Sequence, residues 1–226
     1  MLQMERIGLK DLSDTTILRL KSRKVAKLAT GVPLLDEILG GGFRKDAFIH
    51  CYGKPGSGKS TFALHLVAKV IKAGDRALWV DCNGAFSILR LQALLGDDTA
   101  ILKNLVLVRP TSFRHQTQIL HQIRYHLDRL GLIVVDPITH FYRAERYRES
   151  SQGYFQELIT QLGVLIGFTH LQHIPVLVTN YATVRSNRDH IPLVEKGFAR
   201  VERYRLYFDT MPPTSEEDIP PKKTHN

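Results

Sequence analysis

Short apolar runs alternate along the chain with longer segments of helical period. AFIHCY is followed by STFALHLVAKVIKAG, RALWVD by SILRLQALLG, LVLVRP by FRHQTQILHQIRYHLDRLG, and LIVVDP by GYFQELITQLGVLIGFTHLQH, before PVLVTN extends the series. Runs of roughly four to six residues rich in Val, Ile and Leu, apolar on both faces, predict parallel strands covered by helices. The pattern implies an α/β fold: a doubly wound, mostly parallel sheet with helices on both faces. Three predicted strands end in a polar residue, Asp81, Asp136 and Asn180. In such sheets ligands bind at the carboxyl edge, so these three are site candidates before any motif is considered.

The last predicted strand, VERYRLYF at 201–208, alternates polar with aromatic or aliphatic side chains, which marks a sheet edge. Beyond it, TMPPTSEEDIPPKKTHN is rich in proline and charge with little to bury, and is expected to be disordered. The organisation expected is a lead-in over 1–28, a core over 29–209 and a tail over 210–226, without internal repeats.

Composition narrows the class. With 226 residues, 43% of them hydrophobic, the chain can bury one substantial core but not two. No apolar run approaches the roughly 18 residues of a membrane span. The start, MLQMERIGLKDLSD, lacks the charged-then-apolar order of a signal peptide. The expectation is a soluble, intracellular protein, cytoplasmic or nucleoid-associated (nuclear in a eukaryote), with no membrane partner. Cys51 and Cys82 lack C-x-x-C spacing, and His170 and His173 lack a third ligand, so neither a zinc site nor a disulfide framework is indicated. A net charge of +9 and a pI near 9.6 favour a polyanionic partner, nucleic acid ahead of membrane.

The candidate chemistry begins at GKPGSGKS, residues 53–60, which fits G-x-x-x-x-G-K-[ST] and lies after a predicted strand and at the opening of a predicted helix. Gly53, Lys54, Pro55, Gly56, Ser57, Gly58, Lys59, Ser60 and Thr61 form the candidate cofactor-binding set. The glycines let backbone N–H groups wrap phosphate oxygens, and the helix start adds its positive end. Lys59 is expected to reach the β and γ phosphates and Ser60 to bind Mg²⁺. Asp136, ending LIVVDP, stands where a second group holds Mg²⁺ through water. ATP and Mg²⁺ are the expected cofactors. Further along, FYRAERYRES (141–150) interleaves Arg143, Arg146 and Arg148 with Tyr142 and Tyr147, a mixture suited to phosphates and unpaired bases. A solvated basic loop diluted by Glu145 and Glu149 is the other reading.

Several segments in order resemble the RecA-like recombinases, archaeal RadA and its eukaryotic relatives. They are TGVPLLDEILGGGF (30–43), HQTQIL (115–120), DPITHFYRAERYRESS from Asp136, PVLVTN and RLYF (205–208), and the resemblance covers roughly residues 12–208. It implies two DNA-binding loops on one face, the first carrying Arg143, Arg146, Tyr147 and Arg148, the second, YATVRSNRDHI, carrying Arg185 and Arg188. Departures matter as well. There is no room for the family's preceding helical domain, and its Phe-x-x-Ala polymerisation motif is matched by Leu12 and Thr15, so filament formation is not expected. The glutamine thought to sense the γ phosphate is replaced by Tyr181, which has no amide donor. The pattern after the second loop becomes Pro192, Leu193, Val194 and Glu195, and the family's terminal strands after RLYF are missing. A shortened core of this sort is similar to the small archaeal paralogs of the RadB group.

In this family the second strand ends Asp-Thr-Glu-Gly, and its glutamate polarises the attacking water. The matching residues here are Asp81, Cys82, Asn83 and Gly84. An amide cannot take that proton at neutral pH, and a general base contributes on the order of 100- to 10,000-fold. Asn-Gly also suits a tight turn, and the two roles are compatible. Lys59, Asn83 and Asp136 are the candidate catalytic residues. The resemblance thus implies a recombinase paralog that binds ATP·Mg²⁺ and DNA, single-stranded by preference, hydrolyses weakly, and serves homologous recombination and repair as an accessory factor, with a RadA-type recombinase as a possible partner. Two other classes stay open: an active DNA-dependent ATPase of the RecA superfamily, and a nucleotide-dependent interaction module that docks through IGLKDLSDTTILRL without touching DNA.

Overall fold

Each inner apolar run becomes a strand whose successive side chains enter two different cores. The computed structural model describes residues 4–7, 17–20, 25–96, 99–126, 128–145, 151–184, 190–198 and 204–209. The strands are β1 (Met4–Ile7), β2 (Ile17–Leu20), β3 (Lys27–Leu28), β4 (Phe43–Arg44), β5 (Phe48–Gly53), β6 (Arg76–Asp81), β7 (Leu105–Val108), β8 (Leu130–Asp136), β9 (Val176–Val184), β10 (His190–Pro192) and β11 (Tyr204–Phe208). The helices are α1 (Pro33–Ile38), α2 (Lys59–Lys72), α3 (Ile88–Leu95), α4 (Phe113–His126), α5 (His140–Glu145), α6 (Ser151–Gln172) and α7 (Glu195–Phe198).

The main sheet runs β11-β5-β9-β8-β6-β7, all parallel, with β10 antiparallel on the far end of β9. Ile49, Cys51, Ala77, Trp79, Leu132, Val134 and Leu177 pack on one face with α2 and α3, while Phe48, Leu78, Val80, Ile133, Val135, Val176 and Val178 pack on the other with α4 and α6. The period-2 alternation of a pleated strand therefore feeds two hydrophobic layers, which is why these runs show no polar face. Helix α2 exposes Thr61, His65 and Lys69, every fourth residue, and buries the positions between them. Between the sheet and the helices beside it, it has one narrow wet stripe.

The edge assignment for the last strand holds: β11 pairs only with β5, and Tyr204, Leu206 and Phe208 pack inward while Arg205 and Tyr207 face solvent. Two expectations change. The strand predicted to end at Asn180 continues to Val184, because Tyr-Ala-Thr-Val is itself strand-forming and pairs with β10 (Ile191 opposite Thr183, Pro192 opposite Ala182). The second loop is thus largely a hairpin. The first loop opens as a helix, α5, whose Tyr142 packs toward the core, its ring 6.3 Å from that of Phe113. Leu12, Thr15 and the tail over 210–226 lie outside the described residues. Among the described residues no helix is long and apolar enough to cross a membrane.

Candidate nucleotide-binding site

The phosphate loop joins β5 to α2 at the carboxyl edge of the sheet. Gly58, the N-cap of α2, takes φ 93°, a left-handed conformation that favours glycine. Gly53 is constrained differently: a Cβ there would collide with the carbonyl oxygen of Phe208, so the loop begins hard against β11. The Lys59 ammonium is buried and donates to the carbonyls of Gly53 (3.0 Å) and Lys54 (2.6 Å) and to Ser57 Oγ (3.3 Å). Burial pushes its pKa down, and the charge of Asp136 opposes that shift.

Asp136 ends β8, in register with Asp81 at the end of β6. Burial pushes its carboxyl above the usual carboxylate range. Hydrogen bonds from Thr179 and Ser60 and the charge of Lys59 hold it down, while Asp81 pushes it up. Ser60 and Asp136 thus face each other as a hydroxyl and a carboxylate. Two hard oxygen donors beside a phosphate cradle suit Mg²⁺, which takes few protein ligands and keeps several waters.

Pro55 to Thr61 line a cleft of about 530 Å³, closed by Asn83, Ala85, Arg90, Asp136, Pro137, Thr179 and Tyr181. That size lies within the roughly 300 to 1,000 Å³ of small-molecule sites. Gly53 and Lys54 support it from behind through their carbonyls, and the Lys54 side chain turns away to Asp209 at 3.0 Å. Asp136 is the one carboxylate among the described residues that line the cleft. Asn83 stands exposed at the rim, its Oδ1 accepting from Ala85 N at 3.2 Å, a local turn bond. Asp81 is buried and committed elsewhere: it accepts from Ala85 N (3.0 Å), Phe86 N (3.3 Å) and Arg109 Nε (2.9 Å). Asn180 is likewise internal, accepting from Thr139 Oγ1 (2.6 Å) and donating to the Leu193 carbonyl (2.8 Å). Of the three strand-end candidates, only Asp136 faces the cleft.

Sequence reasoning did not find Arg90 or Thr179. Arg90 follows the helix cap Ser87, whose Oγ accepts from Arg90 N at 3.3 Å, and nothing in the local pattern distinguishes it from a surface arginine. Thr179 precedes the noticed Asn180 on β9 and therefore points to the opposite side, where the cleft is.

Of the residues proposed for nucleic acid, the structure describes Arg143. It lies exposed on α5, with its guanidinium carbon 4.2 Å from the centroid of the Tyr181 ring. Arg146, Tyr147, Arg148, Arg185 and Arg188 lie outside the described residues.

Residues 21–195 match the Rad51 family. The chain is 34% identical over 151 residues to the DNA repair and recombination protein RadB of Methanobrevibacter smithii, an alignment spanning 65% of this chain and 64% of that protein, just under two thirds of its length. It is 30% identical over 174 residues to RadB of Methanococcus maripaludis, spanning 76% and 78% of the two chains. With RadB of Thermococcus kodakarensis the identity is 36% over 159 residues, spanning 68% and 69%.

Proposed function

This chain belongs to the Rad51 family, and on that premise we propose that it is a RadB-like recombinase paralog that grips ATP·Mg²⁺, hydrolyses it slowly, binds DNA, and acts as an accessory factor in recombinational repair. The observation that carries this reading is the inventory of the cleft. A cradle of backbone amides, Lys59 and the Ser60–Asp136 pair is complete for binding, while the slot for a water-activating acid holds Asn83 and the remaining carboxylate, Asp81, is tied down behind it.

Each residue then has a definite task. Loop amides and the α2 N-terminus bind phosphate oxygens. Lys59 exchanges its contacts with loop carbonyls for phosphate oxygens, a charge-assisted bond that also relieves its burial. Ser60 and Asp136 hold the metal, which when bound neutralises phosphate charge. Arg90 brings a second cation to the cleft wall. Asn83 can orient a water through its amide but cannot take its proton, so chemistry lags binding.

The test is to measure ATP turnover and single-strand affinity on one purified sample, with and without nucleotide. Tight ATP binding, feeble turnover and measurable DNA affinity are expected. Turnover strongly stimulated by DNA would overturn the accessory-factor reading in favour of a working motor, and nucleotide binding without any DNA affinity would favour an interaction module.

A further inference from the structure

Strand β9 is fastened to the segment that follows Asp136 by three successive rungs. Ile138 N donates to the Thr179 carbonyl at 3.1 Å, Thr139 Oγ1 donates to Asn180 Oδ1 at 2.6 Å, and the Arg143 guanidinium sits over the Tyr181 ring at 4.2 Å. The first two rungs join buried residues. The third is half-buried at Tyr181 and exposed at Arg143. It also differs in what it touches: Tyr181 lines the phosphate cleft and pairs across the sheet with Gly53, where the phosphate loop begins. Its backbone is pinned, since Tyr181 N donates to Asn180 Oδ1 at 2.8 Å and its carbonyl accepts from Leu193 N at 2.9 Å. Only the ring is free to respond to what enters the cleft.

We propose that Tyr181 and Arg143 form a positioning pair that couples occupancy of the phosphate cleft to single-strand affinity: a nucleoside triphosphate seated against Tyr181 displaces the ring and releases Arg143 to nucleic-acid phosphate. This rests on the reading above, that the cleft takes ATP and the region around α5 takes DNA. A cation over an aromatic face near solvent is held weakly, whereas the same guanidinium on a phosphate oxygen makes a stronger, directional bond. The stack is therefore a reservoir from which Arg143 can be withdrawn, and the two buried rungs keep the base of α5 in place while it is. A ligand shifts such an equilibrium only by its differential affinity for the two states. The coupling must also be reciprocal, so nucleic acid tightens the nucleotide by the same factor.

The experiment measures the affinity of a labelled oligothymidylate with and without a non-hydrolysable ATP analogue and Mg²⁺, which keeps turnover out of the comparison. The analogue is expected to tighten wild-type binding about tenfold, within the range usual for linked sites. Tyr181→Phe keeps the ring and the effect. Tyr181→Leu should bind the oligonucleotide without analogue almost as tightly as wild type does with it, leaving an effect below about twofold. Arg143→Met, a change at an exposed position, should also abolish the effect while weakening binding in both conditions, and it serves if the leucine variant fails to fold. Undiminished coupling in Tyr181→Leu or in Arg143→Met overturns the proposal. Wild-type protein that binds both ligands without coupling sinks this inference alone, and wild-type protein that binds neither removes the reading beneath it as well.

Discussion

Replacing Asn83 with glutamate should convert a holder of ATP into a faster hydrolase. Two features of the structure set the magnitude. The side chain stands at the cleft rim and its turn bond is redundant, because Ala85 N also donates to Asp81 Oδ1 at 3.0 Å. Losing the amide therefore costs well under about 1 kcal/mol of stability. Because the rim is exposed, a carboxylate there is imperfectly placed and well solvated, so the gain belongs at the low end of what a general base supplies. That is about 100-fold, or ~2.7 kcal/mol of barrier. The assay is steady-state phosphate release at saturating ATP·Mg²⁺, with a Lys59→Ala preparation made in parallel to set the contaminant background. An Asn83→Glu protein that binds ATP as wild type does yet turns over no faster would refute the reasoning, because position 83 would then have no access to the attacking water. Wild-type turnover already matching that of the variant would refute it equally.

Lys59→Ala should abolish ATP binding in a fluorescence titration while leaving the melting temperature near wild type, since the change removes a desolvated cation along with its contacts; retained binding would displace the lysine from its role. Because burial raises the Asp136 pKa, Mg²⁺-dependent ATP affinity should begin to fall, as pH drops, above the ordinary carboxylate range. The same raised value means the folded state holds the proton more tightly, so the contribution of Asp136 to the stability of the ligand-free protein runs the other way, lost as pH rises through its folded pKa. Asp136→Asn should erase both trends. Gly53→Ala should cost about 1 to 3 kcal/mol in urea unfolding, because the new Cβ meets backbone of β11 rather than a flexible side chain; an unchanged midpoint would mean β11 yields freely. Single-strand binding should weaken with salt on a log-log slope of about −2 or steeper, the value for three or more phosphate contacts, and a flat line would exclude the arginines as phosphate ligands.

The inner strands were legible because burial on both faces leaves an unmistakable signature, uninterrupted Val, Ile and Leu in LIVVD and VLV. The phosphate loop was legible because its glycines, Lys59 and Ser60 form one contiguous motif. What stayed hidden is mostly relational. Asp81, Asp136 and Asn180 look alike as polar strand ends, yet only the fold reveals that Arg109 and two backbone amides occupy Asp81 and that Thr139 and Leu193 occupy Asn180. Helix α5 was hidden by its own composition, since an Arg- and Tyr-rich segment reads as a loop until Tyr142 is found against the core. The hairpin of β9 and β10 was missed because Asn180 looks like a stop, and the strand passes straight through it once a partner strand arrives.

Strand β5, which carries the phosphate loop, is paired with β9 and β11, and both come from the last quarter of the chain. By contrast β6, β7 and β8 can zip together as soon as residue 136 has been made. A nascent chain leaving the ribosome therefore assembles one half of its sheet while the strand leading into the motif waits unpartnered for residues 176 and beyond, a long-range closure that is slow by nature. Cellular ATP cannot guide the early stages of folding, and a product cut short before Tyr204 would leave the nucleotide-bearing strand as a raw edge, open to aggregation.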